Sequence, residues 1–202
     1  LVDGSKKRLG ERRRPVLFTH KGLSGPGAMD LSGHVDAGQH EHPDAEYTVL
    51  LDLLPDHSPE EIRSLLVEGA GQSGRPSIGA LLPISLPRRL LAQVAMAAGL
   101  PPEIIKRGAL PSMSKAARHE FISSLKALPV RINGTLGFDA AEVTRGGLAL
   151  KHVNPRTMQV NGHEGLYVFG ELLDLDGPIG GLNFQAAFAT AELAGLSVPA
   201  AE

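Results

Sequence analysis

The 202-residue sequence has no cysteine and no tryptophan, and only 4% of its residues are aromatic. Without cysteine, disulfides, thiolate zinc sites and cysteine-ligated iron–sulfur clusters are excluded. The net charge is −2, so composition predicts no general attraction to nucleic acid or to an anionic membrane. No apolar run approaches the roughly 18 residues of a membrane span. We therefore expect a cytoplasmic protein whose partners are small molecules.

The start of the chain also lacks familiar signals. Residues 1–8 contain no initiating Met and no signal-peptide core, and Leu1-Val2 is typical of the end of a strand. We therefore expect a chain that begins within a fold.

The hydrophobic period changes twice along the chain. Short β-rich runs flank a helical block over residues 58–128. The block starts at Ser58-Pro59-Glu60-Glu61, where Ser58 is a predicted N-cap, Pro59 fits the first helical position, and Glu61 completes a capping box. A further helix is predicted over residues 114–128, with Ala117, Phe121, Leu125 and Leu128 on its buried face.

The segment before this block is less regular. We predict a strand over residues 16–19, a helix from Pro26 to about Gly33 with Ser24 as its cap, and a polar loop over residues 34–45. His40-Glu41-His42 in that loop has no evident third ligand, so no metal site is predicted. The basic run Arg12–Arg14 is interpreted as a solvated turn.

One glycine-rich motif is rejected. Residues 69–74 match G-x-G-x-x-G, the fingerprint of dinucleotide-binding turns. That fingerprint must follow a buried strand and open a helix, whereas here it follows an amphipathic helix and precedes Pro76. We predict a loop between helices.

The most informative segment is Gly165–Gln185. It is interpreted as a buried strand, residues 166–169, then an acidic Gly/Pro loop, and then an apolar helix that begins near Gly180 and Gly181. A helix start presents free N–H groups and partial positive charge, and glycines let an electron-rich ligand approach them. Such a strand–loop–helix is where α/β folds bind cofactors.

Two nearby groups of residues, the acidic residues of this loop and a glycine turn before it, each allow more than one interpretation. Glu171, Asp174 and Asp176 are consistent with a metal or acid/base cluster, with loop solvation and helix capping, or with Glu171 accepting a hydrogen bond from a cofactor hydroxyl. Arg145-Gly146-Gly147 is consistent with a plain turn or with backbone that approaches a ligand closely.

Four segments resemble the BaiN/YhiN-like (aminoacetone-oxidase-like) NAD(P)/FAD-dependent flavoproteins. They are LFTHKGLSGP (17–26), AEVTRGG (141–147), NPRTM (154–158) and GLYVFGELLDLDGPIGGLNFQAA (165–187). The first and last are the most specific. Phe169 and Leu182 depart from the pattern, which usually has a small residue and an aromatic there.

This resemblance implies a mixed α/β architecture, a Rossmann-type FAD domain interrupted by an inserted domain. Residues 1–140 correspond to the insert, with a β-barrel-like part (1–57 and 129–140) and a helical bundle (58–128). Residues 141–202 correspond to the C-terminal part of the FAD-binding domain. The N-terminal Rossmann half of the family has no counterpart in the sequence.

The resemblance also implies a cofactor site. Gly170 and Glu171 correspond to a Gly-acid pair that binds the ribityl or pyrophosphate side of FAD. The flavin pyrimidine would face the helix start, which is formed by Gly180, Gly181, Leu182 and Asn183. The isoalloxazine ring would pass close to a glycine turn, which is formed by Thr144, Gly146 and Gly147.

Two functions follow as expectations. The first is the flavin-ring side of an FAD-dependent oxidoreductase that uses NAD(P)H, with no assigned catalytic residue and an unidentified small-molecule substrate. The second is a truncated, non-catalytic scaffold or interaction module without bound flavin.

Overall fold

The computed structural model describes residues 1–74, 76–106 and 110–199. Residues 75 and 107–109 of the predicted helical block, and 200–202 of the predicted C-terminal part, lie outside them. The contacts divide the chain into unit 1, residues 1–9 and 45–133, and unit 2, residues 10–44 and 134–202. The predicted boundary at residue 140 stays a prediction, and these contacts group residues 10–44 with the C-terminal part.

The secondary structure is a mixture of short strands, α-helices and 3₁₀ turns. The strands are β1 (Val2–Asp3), β2 (Leu17–Thr19), β3 (Gly22–Ser24), β4 (Tyr47–Leu51) and β5 (Leu128–Ile132). The α-helices are α1 (Pro26–Glu41), α2 (Pro59–Ala70), α3 (Ile78–Leu81), α4 (Arg88–Ala97), α5 (Lys115–Lys126) and α6 (Leu182–Ser197). None of the helices in the described part of the chain is long and apolar enough to cross a membrane.

Unit 1 contains an antiparallel sheet in the order β1-β4-β5, in which Leu51 lies opposite Leu128. Helices α2, α4 and α5 pack together on apolar side chains that are at most 2% exposed: Ile62, Leu66, Leu91, Val94, Phe121 and Leu125. The Leu53 N–H donates to the Leu125 carbonyl (2.9 Å), which ties the end of α5 to the chain after β4.

The capping box at the start of α2 is confirmed. The Ser58 hydroxyl accepts from the Glu61 N–H at 3.2 Å, and the Glu61 carboxylate accepts from the Ser58 N–H at 2.7 Å. Helix α5 begins in the same way, because Ser114 accepts from the Ala117 N–H at 3.1 Å. The predicted buried face of α5 is confirmed at Phe121 and Leu125, and Ala117 is half-buried. Leu128 is buried as well, but it begins β5, because the helix ends two residues earlier than predicted.

The rejected glycine motif leads from one helix toward the next, but only residues 71–74 form the predicted loop, since residues 69 and 70 belong to α2. Its first residue, Gly69, is in the last turn of α2, where a Cβ would overlap the Leu81 side chain. Residues 71–74 lead from α2 toward α3, and α2 rather than a strand precedes the motif.

Unit 2 opens with the β2–β3 hairpin and α1, and two predictions here are wrong. Residues 34–41 continue α1 rather than forming a loop, because Leu31 and Val35 extend its buried stripe by one turn while the polar residues face solvent. Ser24 is not a helix cap. It ends β3, and Gly25, with φ +84°, is the N-cap without a side-chain hydrogen bond.

The strand predicted over residues 166–169 is not formed. Residues 150–152 and 170–172 are 3₁₀ turns, and Gln159 and Tyr167 form an isolated bridge. Leu166 and Phe169 are 48% and 46% exposed, so the segment is not the buried strand that was predicted. The Rossmann-type sheet is therefore not seen in residues 141–199.

Helix α6 follows and is apolar on most sides. It begins directly after Gly181, as predicted, and Ala194 is its one residue that is buried. Phe184 and Phe188 are 73% and 72% exposed. A helix that is apolar all round is typical of a fully packed position.

Candidate functional site

The glycine turn at residues 146–147 lies against the segment that follows Glu171. The Leu148 N–H donates to the Leu172 carbonyl (2.8 Å), and the Asp174 N–H donates to the Leu148 carbonyl (2.9 Å). Gly147 has φ +137°, and a Cβ there would lie 2.6 Å from the Leu172 oxygen. Only glycine allows this approach of two backbones.

The predicted Gly-acid pair, Gly170 and Glu171, precedes α6 in the chain, and its glycine packs against the side of that helix. The Gly170 N–H donates to the Thr190 hydroxyl (3.0 Å), and a Cβ at Gly170 would lie 3.7 Å from the Cβ of Ala187. Glu171 follows in an exposed 3₁₀ turn. Ala187 is six residues after Gly181, so this turn lies about 9 Å along the helix from its start.

The loop that leads into α6 is held by the helix itself. The Asn183 side-chain oxygen accepts from the Gly177 N–H (2.7 Å), and its amide nitrogen donates to the Gly177 carbonyl (2.9 Å). The side chain of Asn183, predicted to be cofactor-binding, is therefore engaged with the loop, and its backbone N–H is the group it can offer to a ligand.

The start of α6 is open. Gly180 and Gly181 have φ +129° and +97°, and no side chain caps the helix. The Gln185 N–H makes the first intrahelical bond, to the Gly181 carbonyl at 3.0 Å, so the N–H groups of residues 182–184 point out of the helix end. Nothing in the described chain lies within 4 Å of a Cβ placed at Gly181 or at Gly146.

An ion pair that the sequence did not reveal lies under this loop. The Asp30 side chain is 1% exposed, and its carboxylate accepts from Arg14 at 2.8 Å and from the Ile179 N–H at 2.7 Å. Arg14 also donates to the Ile179 carbonyl at 2.6 Å, and Arg12 lies 3.7 Å from the same carboxylate. The interpretation of residues 12–14 as a solvated turn is therefore wrong for Arg14.

The charges explain the protonation state of this pair. Burial acts to raise the pKa of Asp30, but the hydrogen bonds from Arg14 and from the Ile179 N–H outweigh it and lower the pKa below its usual 3.8. Asp30 is thus an anion at neutral pH. An acid within the otherwise apolar stretch of α1 was the signal available in the sequence.

A second arginine connects α1 with the other glycine turn. Arg145 Nε lies 3.6 Å from the Asp176 carboxylate, and a Cβ at Gly33 would lie 2.6 Å from the Arg145 guanidinium. Burial and the charges of Arg145 and Arg12 lower the pKa of the neighbouring His34. Asp176 is therefore ion-paired, and the described residues contain no group of three metal-ligating side chains.

The predicted site residues thus fall into two turns of unit 2. Gly146, Gly147, Gly170 and Glu171 are connected through the Leu148–Leu173 bridge. Gly180, Gly181, Leu182 and Asn183 form the helix start. Thr144 precedes Arg145 in the first turn, and its role stays a prediction. The open groove in unit 1, of about 520 Å³ beside Glu60 and Glu61, contains none of these residues.

The structure is that of a mixed α/β protein with small sheets and a helical part. Comparison with known proteins identifies the family to which the chain belongs. The family model described as "HI0933-like protein barrel and H2TH domain" matches residues 2–143. The chain belongs to the HI0933-like family.

Three curated relatives are similar over most of the chain. A ribosomal RNA dihydrouridine synthase of Escherichia coli is 32% identical over 89% of the chain, and one of Haemophilus influenzae is 31% identical over 91%. A 3-dehydro-bile acid delta(4,6)-reductase of Clostridium scindens is 31% identical over 93%. The chain spans only 41%, 42% and 44% of their respective lengths.

Proposed function

We propose that the chain is the C-terminal portion of an FAD-dependent oxidoreductase and contributes the flavin-ring side of its FAD site. The observation that carries the proposal is the open start of α6, where two glycines with positive φ precede three outward N–H groups. Membership of the HI0933-like family and the reductase name of one relative support it.

The residues present fit a flavin. A helix start favours negative charge, and a reduced flavin carries negative charge on its pyrimidine side. The space at Gly181 and at Gly146 is open, so a flat ring can approach backbone at both places. The Glu171 side chain is exposed, so its carboxylate can accept hydrogen bonds from the ribityl hydroxyls of FAD. When bound, FAD would supply the hydride chemistry, and NAD(P)H is the reductant we propose.

The relatives' names suggest a substrate class. Dihydrouridine differs from uridine by hydrogen added across a carbon–carbon double bond conjugated with a carbonyl. A 3-dehydro delta(4,6) substrate likewise has double bonds conjugated with a ketone. We therefore propose that the complete enzyme reduces a carbon–carbon double bond activated by a neighbouring carbonyl: one hydride is added to the far carbon and one proton to the carbon beside the carbonyl.

Two kinds of substrate are retained, a nucleotide within RNA and a small molecule. The composition predicts no nucleic-acid partner, but two relatives carry names that refer to ribosomal RNA. The third is named for a bile acid, a small molecule. Uridine in RNA is therefore retained beside a small-molecule substrate.

A second function is favoured by a specific observation, the exposed apolar surface of α6. Phe184, Phe188 and Leu196 are each more than 70% exposed, which is typical of a surface that another protein part covers. A Rossmann half of the family type would cover it in an enzyme. Without such a partner, the chain is a scaffold or interaction module without flavin.

An absorbance titration tests the proposal. We expect the purified chain to be colourless and to bind added FAD weakly, because contacts to pyrophosphate and adenosine come from elsewhere in the family's fold. The visible flavin bands should shift only when the protein concentration is raised well above that of the FAD. Stoichiometric FAD retained through purification would contradict the expected weakness, and unchanged bands up to the solubility limit of the protein would contradict flavin binding.

A further inference from the structure

Two side chains on unit 2 hold both polar backbone groups of one residue in the loop before α6. Asp30 accepts from the Ile179 N–H, and Arg14 donates to the Ile179 carbonyl. Since Asp30 and Arg14 are themselves paired at 2.8 Å, the three groups form a closed ring of hydrogen bonds. Ile179 directly precedes Gly180 and Gly181.

The position of Arg14 is fixed by the start of α1. The Gly27 N–H donates to the Pro15 carbonyl (2.9 Å), and a Cβ at Gly27 would lie 2.8 Å from the Arg14 carbonyl oxygen. Residues 14–16 therefore run close over the first turn of α1, and Asp30 lies about one turn further along the helix. The helix thus presents the carboxylate directly to the guanidinium.

The loop is also fixed at its other end, where the Asn183 amide binds both polar groups of Gly177. With Gly177 and Ile179 both held, the freedom left is that of Pro178, Gly180 and Gly181. Glycine has the largest conformational freedom of any residue. A glycine pair with positive φ at a helix start therefore needs an external constraint to keep one geometry.

The geometry points to Asp30 and Arg14 as positioning residues: they set the turn at residues 177–181 and so direct the first N–H groups of α6 toward the flavin ring. In this role, neither residue touches the ring. They act through the Ile179 backbone. The inference rests on the proposed function for the identity of the ligand, but the constraint itself is a property of the chain without ligand.

Amide hydrogen exchange, measured residue by residue on the full chain without flavin, tests the constraint. In Asp30→Asn the amide can accept from Ile179 or face Arg14, but it carries no charge for either. We expect Ile179 to exchange about 10-fold faster or more, the effect of losing a charge-assisted hydrogen bond. The Val160 N–H, bonded to the Leu166 carbonyl in the same unit, should be unchanged.

Three further variants complete the comparison. Glu46→Gln removes one carboxylate charge from an exposed pair with Arg131, also 2.8 Å apart, and should leave Ile179 unchanged. Arg14→Lys keeps the positive charge but lacks the planar fork that reaches both acceptors, so Ile179 should exchange at a rate between those of wild type and Arg14→Gln. Equal rates at Ile179 in wild type and Asp30→Asn would overturn the proposal, as would a parallel rise at Val160.

A second measurement separates this proposal from flavin binding. FAD is titrated into wild type and Asp30→Asn, and the amide signals of residues 180–183 are followed by NMR. Weaker binding in the variant supports the positioning role. Equal binding by both proteins, despite faster exchange at Ile179, would overturn it. No FAD-induced shift in wild type would overturn the proposed function while faster exchange at Ile179 still supported the constraint on the turn.

Discussion

The close approach of Gly147 to the Leu172–Leu173 backbone gives a matched pair of substitutions. In Gly147→Ala, the new Cβ meets the Leu172 carbonyl oxygen at 2.6 Å and the Leu173 carbonyl carbon at 2.9 Å. These are backbone atoms and cannot rotate away. Gly146→Ala also introduces a Cβ at positive φ, +92°, but into space with no atom within 4 Å.

The expected magnitudes differ accordingly. A non-glycine residue in a backbone region reserved for glycine costs about 1–3 kcal/mol. Separating the two backbones also breaks the hydrogen bonds from Leu148 to Leu172 and from Asp174 to Leu148, each worth about 0.5–1.5 kcal/mol. Gly147→Ala should thus lower the free energy of unfolding of unit 2 by about 2–6 kcal/mol. Gly146→Ala should lower it by only about 1–2 kcal/mol, the cost of left-handed backbone alone.

Denaturant unfolding followed by tyrosine fluorescence measures this difference. The chain has two tyrosines and no tryptophan, so a Tyr47→Phe background leaves Tyr167 as the reporter of unit 2. Tyr167 donates to the Ser197 carbonyl (2.9 Å) near the end of α6, so it senses the packing of that helix. Equal losses in the two alanine variants would refute the argument from close backbone approach.

Three further predictions concern the cap, the buried acid and the helix start. Ser58→Ala removes the capping box of α2 and should lower the stability of unit 1 by about 1 kcal/mol, with Ser64→Ala nearly neutral in the same thermal melt. Folding lowers the pKa of Asp30 below 3.8, so its carboxylate anion stabilises the fold above pH 3.8, and this contribution is lost as the pH falls through the pKa of the folded state. The stability difference between wild type and Asp30→Asn should therefore shrink below about pH 4 in unfolding titrations. A difference that stays constant with pH would contradict this. Gly181→Ala should weaken FAD binding in an absorbance titration, whereas Gly162→Ala, also at positive φ with open space, should not; equal effects would remove the argument for flavin at the helix start.

The helical part of unit 1 was readable from the sequence because its signals are local. Ser58 and Glu61 lie within one turn, and Phe121 and Leu125 repeat at helical spacing, so neither depends on distant residues. The end of α1 is harder to predict, because most residues of its last two turns are polar. Only Leu31 and Val35, four residues apart, reveal the buried stripe there.

The C-terminal part was harder to predict for a physical reason. Residues 166–169 have the composition of a strand, but a strand needs an extended ladder, and in the described residues this segment pairs only through the isolated Gln159–Tyr167 bridge. The resemblance to flavoproteins singled out Gly147 and Gly181, yet it gave no indication of Asp30 and Arg14. These residues are 149 and 165 positions from Ile179 in the chain, and no local pattern records such a contact.

We propose that the two glycine turns of unit 2 form the flavin-ring side of an FAD site, and added FAD should therefore perturb both turns. The most direct measurement is a two-dimensional ¹H–¹⁵N NMR titration of the full chain with FAD, which detects weak binding at single residues. We expect shifts concentrated at Gly146, Gly147 and residues 180–183, with residues 69–74 unaffected. No shift up to the solubility limit of FAD, or shifts centred on residues 69–74, would contradict it.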